Sequence, residues 1–135
     1  GLGDVYKRQD IDTFIIVDPT TRLSAMVRPE FVMKSQTKIN HTYAHNNHIN
    51  EIFSIQGYRY QFITVDYRTR KELIDDFDFA HTAISYDMAK DTLYMNEKTY
   101  HCIKNKILMK HTESSVIKQH RLEKFRNEGW DDSQL

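Results

Sequence analysis

The sequence predicts an α/β or α+β domain, a sheet carrying helices on one face. Three observations point there. Short β-branched and aromatic runs lie in the first half of the chain. Two amphipathic helical patterns close the second half. Turn and cap residues punctuate the order strand, helix, hairpin, helix, hairpin, helix, helix.

Residues 11–17, IDTFIIV, read as a buried strand. Asp18-Pro19-Thr20-Thr21 ends it with turn or helix-cap chemistry, and residues 20–28 suit a short helix limited by Pro29. Residues 34–48 are polar and rich in His and Asn, which predicts a loop. Residues 49–56 and 58–66 flank Gly57 as a hairpin. In its second arm Tyr58, Tyr60 and Phe62 alternate with Arg59, Gln61 and Ile63, so Gln61 should face away from the aromatics. Thr69 with Glu72 three residues on forms a capping box, and Leu73, Ile74 and Phe77 carry a helix over 69–83. A second hairpin joins 84–87 to 92–95. A helix over 97–109 shows a stripe of Tyr100, Ile103, Ile107 and Leu108. A helix over 115–128 shows Ile117, Leu122 and Phe125, with Gly129 as its C-cap.

Composition narrows the class. The chain has 135 residues, of which 39% are hydrophobic and 28% charged, as in soluble globular proteins. Its formal net charge is zero, so it carries no global polyanion signal. One cysteine, Cys102, excludes an intramolecular disulfide and any cysteine-based zinc cluster; mid-helix and without a nearby base, it reads as a packing residue. No apolar run spans a membrane, and no signal-peptide pattern is visible; a cytoplasmic location is expected. Residues 1–9, GLGDVYKRQ, lack hydrophobic period and look like the translated adaptor remnant found at the ends of metagenomic gene fragments. The expectation is a non-native leader at 1–9, a single N-terminally truncated domain at 10–130 and a tail at 131–135.

Asp10-Ile11-Asp12 is the first chemical signal. Carboxylates at i and i+2 of a strand share a face and can hold Mg²⁺, which prefers oxygen ligands. Metals so held stabilise the attacking and leaving oxygens of phosphoryl transfer. The same spacing also occurs on ordinary solvated strand edges.

The acidic strand resembles the motif strand of the polymerase-β-like nucleotidyltransferase superfamily. NEIFSIQGYRYQFITVDYR is similar to the hairpin of CCA-adding enzymes and bacterial-type poly(A) polymerases. Asp78-Phe-Ala-His-Thr-Ala-Ile-Ser-Tyr-Asp87 is similar to their RRDFTINALAYD motif, matching at Asp78, Phe79, Ala83, Tyr86 and Asp87. HRLEKFRNEGW resembles their RALRFAARLGF helix with a one-residue gap. The chain looks closer still to nucleotidyltransferase-like proteins of large bacteriophages and other DNA viruses. These pair a Gln-x-Ile strand with FDF and a C-terminal R-x-x-K-[YF]-x-x-x-G-[FW], here Gln61–Ile63, Phe77–Phe79 and Arg121–Trp130.

The resemblance implies a nucleotidyltransferase-like mixed sheet with helices packed on it. It implies metal-dependent transfer of a nucleotidyl group from an NTP to a hydroxyl on RNA, a protein or a small molecule. Asp10 and Asp12 would ligate Mg²⁺ or Mn²⁺. Asp78, Thr82 and His81 would shape the nucleotide pocket. The chain departs from the pattern in four places. It holds no Gly-Gly or Gly-Ser phosphate-cradling turn, expected upstream. Gln61 occupies the position of the third carboxylate. Asp76 and Phe77 replace the paired Arg, and Thr82 replaces the Asn. A neutral amide coordinates Mg²⁺ weakly and is no base. The chain as given is therefore expected to be inactive. A catalytically degenerate nucleotide- or nucleic-acid-binding domain, and a structural or interaction protein, stand as alternatives.

Each candidate also has a plainer reading. Gln61 suits a sheet-edge polar residue, Asp78 a buried capping carboxylate, His81 a satisfied buried imidazole. His41, His45 and His48 invite zinc, but Asn46, Asn47 and Asn50 oppose a helix, so a solvated loop is expected. Residues 101–128 hold seven Lys/Arg against three Glu, so Lys118, Arg121 and Lys124 either meet a phosphate backbone or form a solvated helix face.

Overall fold

A computed structural model describes residues 11–26, 32–34, 48–55 and 60–135. The chain divides into two compact units, residues 1–68 and 69–135. Its content is α+β: two small sheets and three α-helices among the described residues.

The first unit is built on a mixed four-stranded sheet. Strands β1 (Ile11–Ile16), β2 (Val32–Lys34), β3 (Ile49–Ile55) and β4 (Tyr60–Val65) lie in the order β1-β4-β3-β2. β1 runs parallel to β4, and β3 is antiparallel to both β4 and β2. The expected strand and hairpin thus share one sheet. β2 was not expected, because a three-residue strand gives no period to read. Gly57 and Arg59 lie outside the described residues.

β4 is buried on both faces. Ile63 and Val65 on one, and Thr64 on the other, are fully inaccessible. Phe62 stacks on Phe53, its cross-strand partner, at 5.4 Å between ring centroids. The β3–β4 register shifts between Ile49 and Glu51. There the Thr64 hydroxyl accepts the Glu51 N–H at 3.1 Å, which satisfies a donor that the bulge takes out of the ladder. The expected helix at 20–28 is a single 3-10 turn, Leu23–Met26. The Glu51 carboxylate holds it, accepting from Ser24 N at 3.0 Å and Ser24 Oγ at 2.6 Å. Before it, Asp18 Oδ1 accepts the Thr20 N–H at 2.8 Å, the Asx turn that Asp-Pro-Thr-Thr encodes.

The second unit holds helices α1 (Arg70–Asp75), α2 (Glu97–Asn105) and α3 (Gln119–Asn127), and a hairpin of β5 (Ser85–Asp87) and β6 (Thr92–Tyr94). The Thr69 cap forms as expected, with Thr69 Oγ1 accepting from Glu72 N. The helix is shorter than the 69–83 pattern. After Asp76 the chain extends, and Phe79 enters the core, 0% exposed, bridging to Lys110. Hydrogen bonds from Ala80 N to Met109 O (2.8 Å) and from His111 N to Asp78 O (2.9 Å) replace the helical ones. A 3-10 turn, Ala80–Thr82, follows.

α2 corrects the expected stripe. Tyr100 and Ile103 are 56% and 42% exposed, and the buried helical side chains are Thr99 and Cys102. The helix packs against the Ala80–Thr82 turn. Small side chains permit that close approach, and bulky ones at the same face would hold the backbones apart. It ends at Asn105, not 109, because Lys106 turns left-handed at φ 56°.

α3 begins at Gln119, later than expected, but buries Leu122 and Phe125 as the periodicity predicts. Its end is a Schellman motif. Gly129 sits at φ 88°, its N–H reaches Arg126 O, and Trp130 N–H reaches Phe125 O, both at 3.0 Å. The accompanying apolar contact is Trp130 against Phe125, edge-to-face at 6.1 Å. The core gathers here from Phe79, Leu108, Leu122 and Phe125, with Ile117 and Trp130 packed on it. The expected tail is tied in at its start: Leu108 N donates to Asp131 O at 2.7 Å, and Arg126 pairs with Asp132.

Candidate functional site

The register of the first sheet sets the geometry around Asp12. Asp12 lies opposite Gln61 across the parallel β1–β4 pair, and Gln61 lies opposite Ser54 across β3–β4. Register partners project to the same face, so the three side chains form one polar row with steps of roughly 4.8 Å between strands. Two residues on, the same face carries Phe14, Ile63 and Ile52. Ile63 and Ile52 are buried, so the face changes from apolar core to polar at this end. Gln61 is 2% exposed, whereas Asp12 is exposed. Because β4 lies between β1 and β3, Gln61 is an interior residue of the sheet and not an edge one.

Asp10 lies outside the described residues. Asp66, the other carboxylate on this arm, sits five residues past Gln61, roughly 16 Å along an extended strand. Its carboxylate is 2.8 Å from His48 Nδ1, and His48 stacks on Tyr67 at 4.3 Å. Asp66 is thus held at the far end of β4. His41 and His45 are outside the described residues.

An oxygen donor set of carboxylate and amide suits Mg²⁺ in kind. Among the described residues no group of three His, Cys, Asp or Glu could hold a metal ion.

In the second unit the residues expected to shape a nucleotide pocket are each engaged with a different neighbour. Asp78 takes a two-pronged grip from Arg121, 43 residues away: Nε to Oδ2 at 2.8 Å and Nη2 to Oδ1 at 3.1 Å. It also accepts the Phe79 N–H at 2.7 Å. Burial pushes the Asp78 carboxyl upward. The Arg121 hydrogen bonds and charge outweigh it, and the pKa lies below the usual carboxylate value. Thr82 Oγ1 donates to Phe79 O at 2.8 Å, closing the 3-10 turn.

His81 is 9% exposed and boxed by rings. It stacks on Trp130 at 4.1 Å and meets Phe125 edge-on at 4.4 Å. Neither ring nitrogen has a hydrogen-bond partner, unlike the satisfied imidazole expected. Burial pushes its pKa down to about 4. Asp78 opposes that shift, and Arg121 and Lys124 add to it. Of the basic residues on this helix, Arg121 is spent on Asp78, and Lys124 Nζ lies 5.4 Å from the Phe125 ring. Lys118 is the N-cap residue of α3.

Sequence reading missed the Asp78–Arg121 pair, although both residues were in view. FDF and R-x-x-K-F-x-x-x-G-W supply the two ends of one ion pair and the rings of one cluster. Segments that resemble a family together but lie far apart in sequence could have signalled that contact.

Comparison with protein-family models, with curated proteins and with solved structures finds no match to this chain. No helix among the described residues is long and apolar enough to cross a membrane.

Proposed function

We propose that the chain is a metal-dependent nucleotidyltransferase-like domain that transfers a nucleotidyl group from an NTP to a hydroxyl acceptor. The observation that carries this reading is the direct pairing of Asp12 with Gln61 on neighbouring parallel strands. The resemblance puts metal-binding carboxylates on those two strands. Asp12, with Asp10 before it, would hold Mg²⁺ or Mn²⁺, and Gln61 would offer an amide oxygen. The metal would supply charge neutralisation at the phosphates. Asp12 and the residues around it would orient the ion, and none of them supplies a base at the Gln61 position.

Gln61 favours a second reading, a catalytically degenerate domain that binds a nucleotide or nucleic acid without turnover. A buried amide beside a lone described carboxylate lowers the negative charge available to a second metal.

One experiment separates the two. The full-length protein is titrated with Mn²⁺ and incubated with labelled NTPs and pooled RNA and protein acceptors. The enzymatic reading expects label transfer that Asp12→Asn abolishes and Gln61→Asp raises. NTP binding that needs Mn²⁺ and Asp12, without transfer, supports the degenerate domain. Mn²⁺ and NTP affinities that Asp12→Asn leaves unchanged would refute both.

A further inference from the structure

The β5–β6 hairpin is built inside out. Its register pairs Ser85 with Tyr94, Tyr86 with Leu93 and Asp87 with Thr92. Ser85, Asp87, Thr92 and Tyr94 form the half-buried face. That face is already engaged: the Arg70 guanidinium lies 3.5 Å from the centre of the Tyr94 ring, and Nη1 donates to Ser85 Oγ at 3.3 Å. Alternate residues of a strand point to opposite faces. Ile84, Tyr86 and Met88 on one arm therefore share the outward face with Leu93 and Met95 on the other. All five are exposed, from 39% to 81%. The polar end of Tyr86 is satisfied, since its hydroxyl donates to Asp91 at the tip.

A two-stranded hairpin is marginal by itself in water and gains stability when its apolar face is covered. We propose that this face is the interface of a symmetric dimer, covered by the same face of a second copy of the chain. Area supports that occupant. About half of each large side chain is open, roughly 100 Å² apiece, so the face offers on the order of 500 Å². Two copies would bury about 1,000 Å² in total, which reaches the lower limit for a specific interface and predicts a weak, reversible one.

Charge supports it too. The hairpin's charged residues are Asp87, Lys90 and Asp91, two acids against one base, a poor match to an anionic lipid surface or to nucleic acid. The chain's formal net charge is zero, so no long-range repulsion holds two copies apart. The face is also self-complementary. Tyr86 and Leu93 are cross-strand partners at its centre, with apolar Ile84, Met88 and Met95 around them. A two-fold axis through that centre sets apolar surface against apolar surface, as an isologous contact requires. The interface involves neither Asp12 nor a metal ion, so it stands or falls apart from the nucleotidyltransferase reading.

The test is sedimentation equilibrium of the whole chain in EDTA, from about 5 to about 500 µM, a range that brackets a weak interface. A monomer–dimer equilibrium is expected, with a dissociation constant on the order of 10–100 µM. Leu93 is 57% exposed, so Leu93→Glu and Leu93→Lys should each keep the fold, checked by circular dichroism, and weaken association at least about tenfold. An equimolar mixture of the two variants should associate more tightly than either alone, because like charges near the axis are replaced by opposite ones. Val116→Glu, at a 76% exposed apolar position outside the hairpin, should change nothing. A chain that stays monomeric throughout, a dimer that Leu93→Glu leaves intact, or a mixture no tighter than its components would overturn the proposal. So would assembly that grows past the dimer, or a monomer whose Leu93 side chain is needed for binding to neutral lipid vesicles.

Discussion

Acid should destabilise the second unit through His81, and the size of the effect follows from its surroundings. The folded pKa is about 4, because the ring lies between Trp130 and Phe125 with no partner for either nitrogen. The unfolded value is about 6.5. Above pH 6.5 the imidazole is neutral in both states and contributes no pH dependence. Between the two values the unfolded chain binds a proton that the folded chain refuses, so stability falls as pH falls. The slope is about 1.4 kcal/mol per pH unit, giving about 2 kcal/mol lost by pH 5 and roughly 3 kcal/mol by pH 4, where the loss levels off. Asp78 and His111, both with lowered pKa values, push in the same direction, so wild-type data alone would not isolate His81. His81→Phe keeps a ring in the box and removes the titration. Urea midpoints read by the fluorescence of Trp130, the chain's one tryptophan, follow this unit directly. The difference between variant and wild type should grow by about 2 kcal/mol from pH 7 to pH 5. Parallel curves for the two proteins, or an NMR titration placing His81 near 6.5, would refute the reasoning.

Three further outcomes are expected. Phe125→Ala removes a ring that is 7% exposed and touches Phe79, His81 and Trp130, and should cost about 3–5 kcal/mol; an unchanged thermal midpoint would make α3 peripheral. Lys106→Gly relieves a left-handed residue at φ 56° and should stabilise by up to about 1 kcal/mol, seen as a higher denaturation midpoint. Thr99→Val replaces a buried hydroxyl that has no partner by a methyl of the same shape, so the midpoint should hold or rise, and a fall of more than about 1 kcal/mol would mean that the hydroxyl is satisfied.

Local chemistry was legible in the sequence, because its causes lie within a few residues. The Thr69 cap, the Asp18 turn, the Gly129 terminus and the alternation that sends Gln61 away from Tyr60 and Phe62 each depend on near neighbours. So does the inward face of α3, since Leu122 and Phe125 have no polar side to choose. Decisions between distant segments were not legible. Tyr100 and Ile103 make a better apolar stripe than Thr99 and Cys102. The helix nevertheless turns the small pair inward, because the Ala80–Thr82 turn packs close. The 69–83 pattern reads on as helix, yet Phe79 and Asp78 gain more from Phe125 and Arg121 than from another helical turn. At the candidate site, the sequence determined which carboxylates and amides exist. Only pairing in the sheet set Gln61 beside Asp12, and Asp66 at the other end of the strand beside His48, because a strand's period assigns a face but not a neighbour.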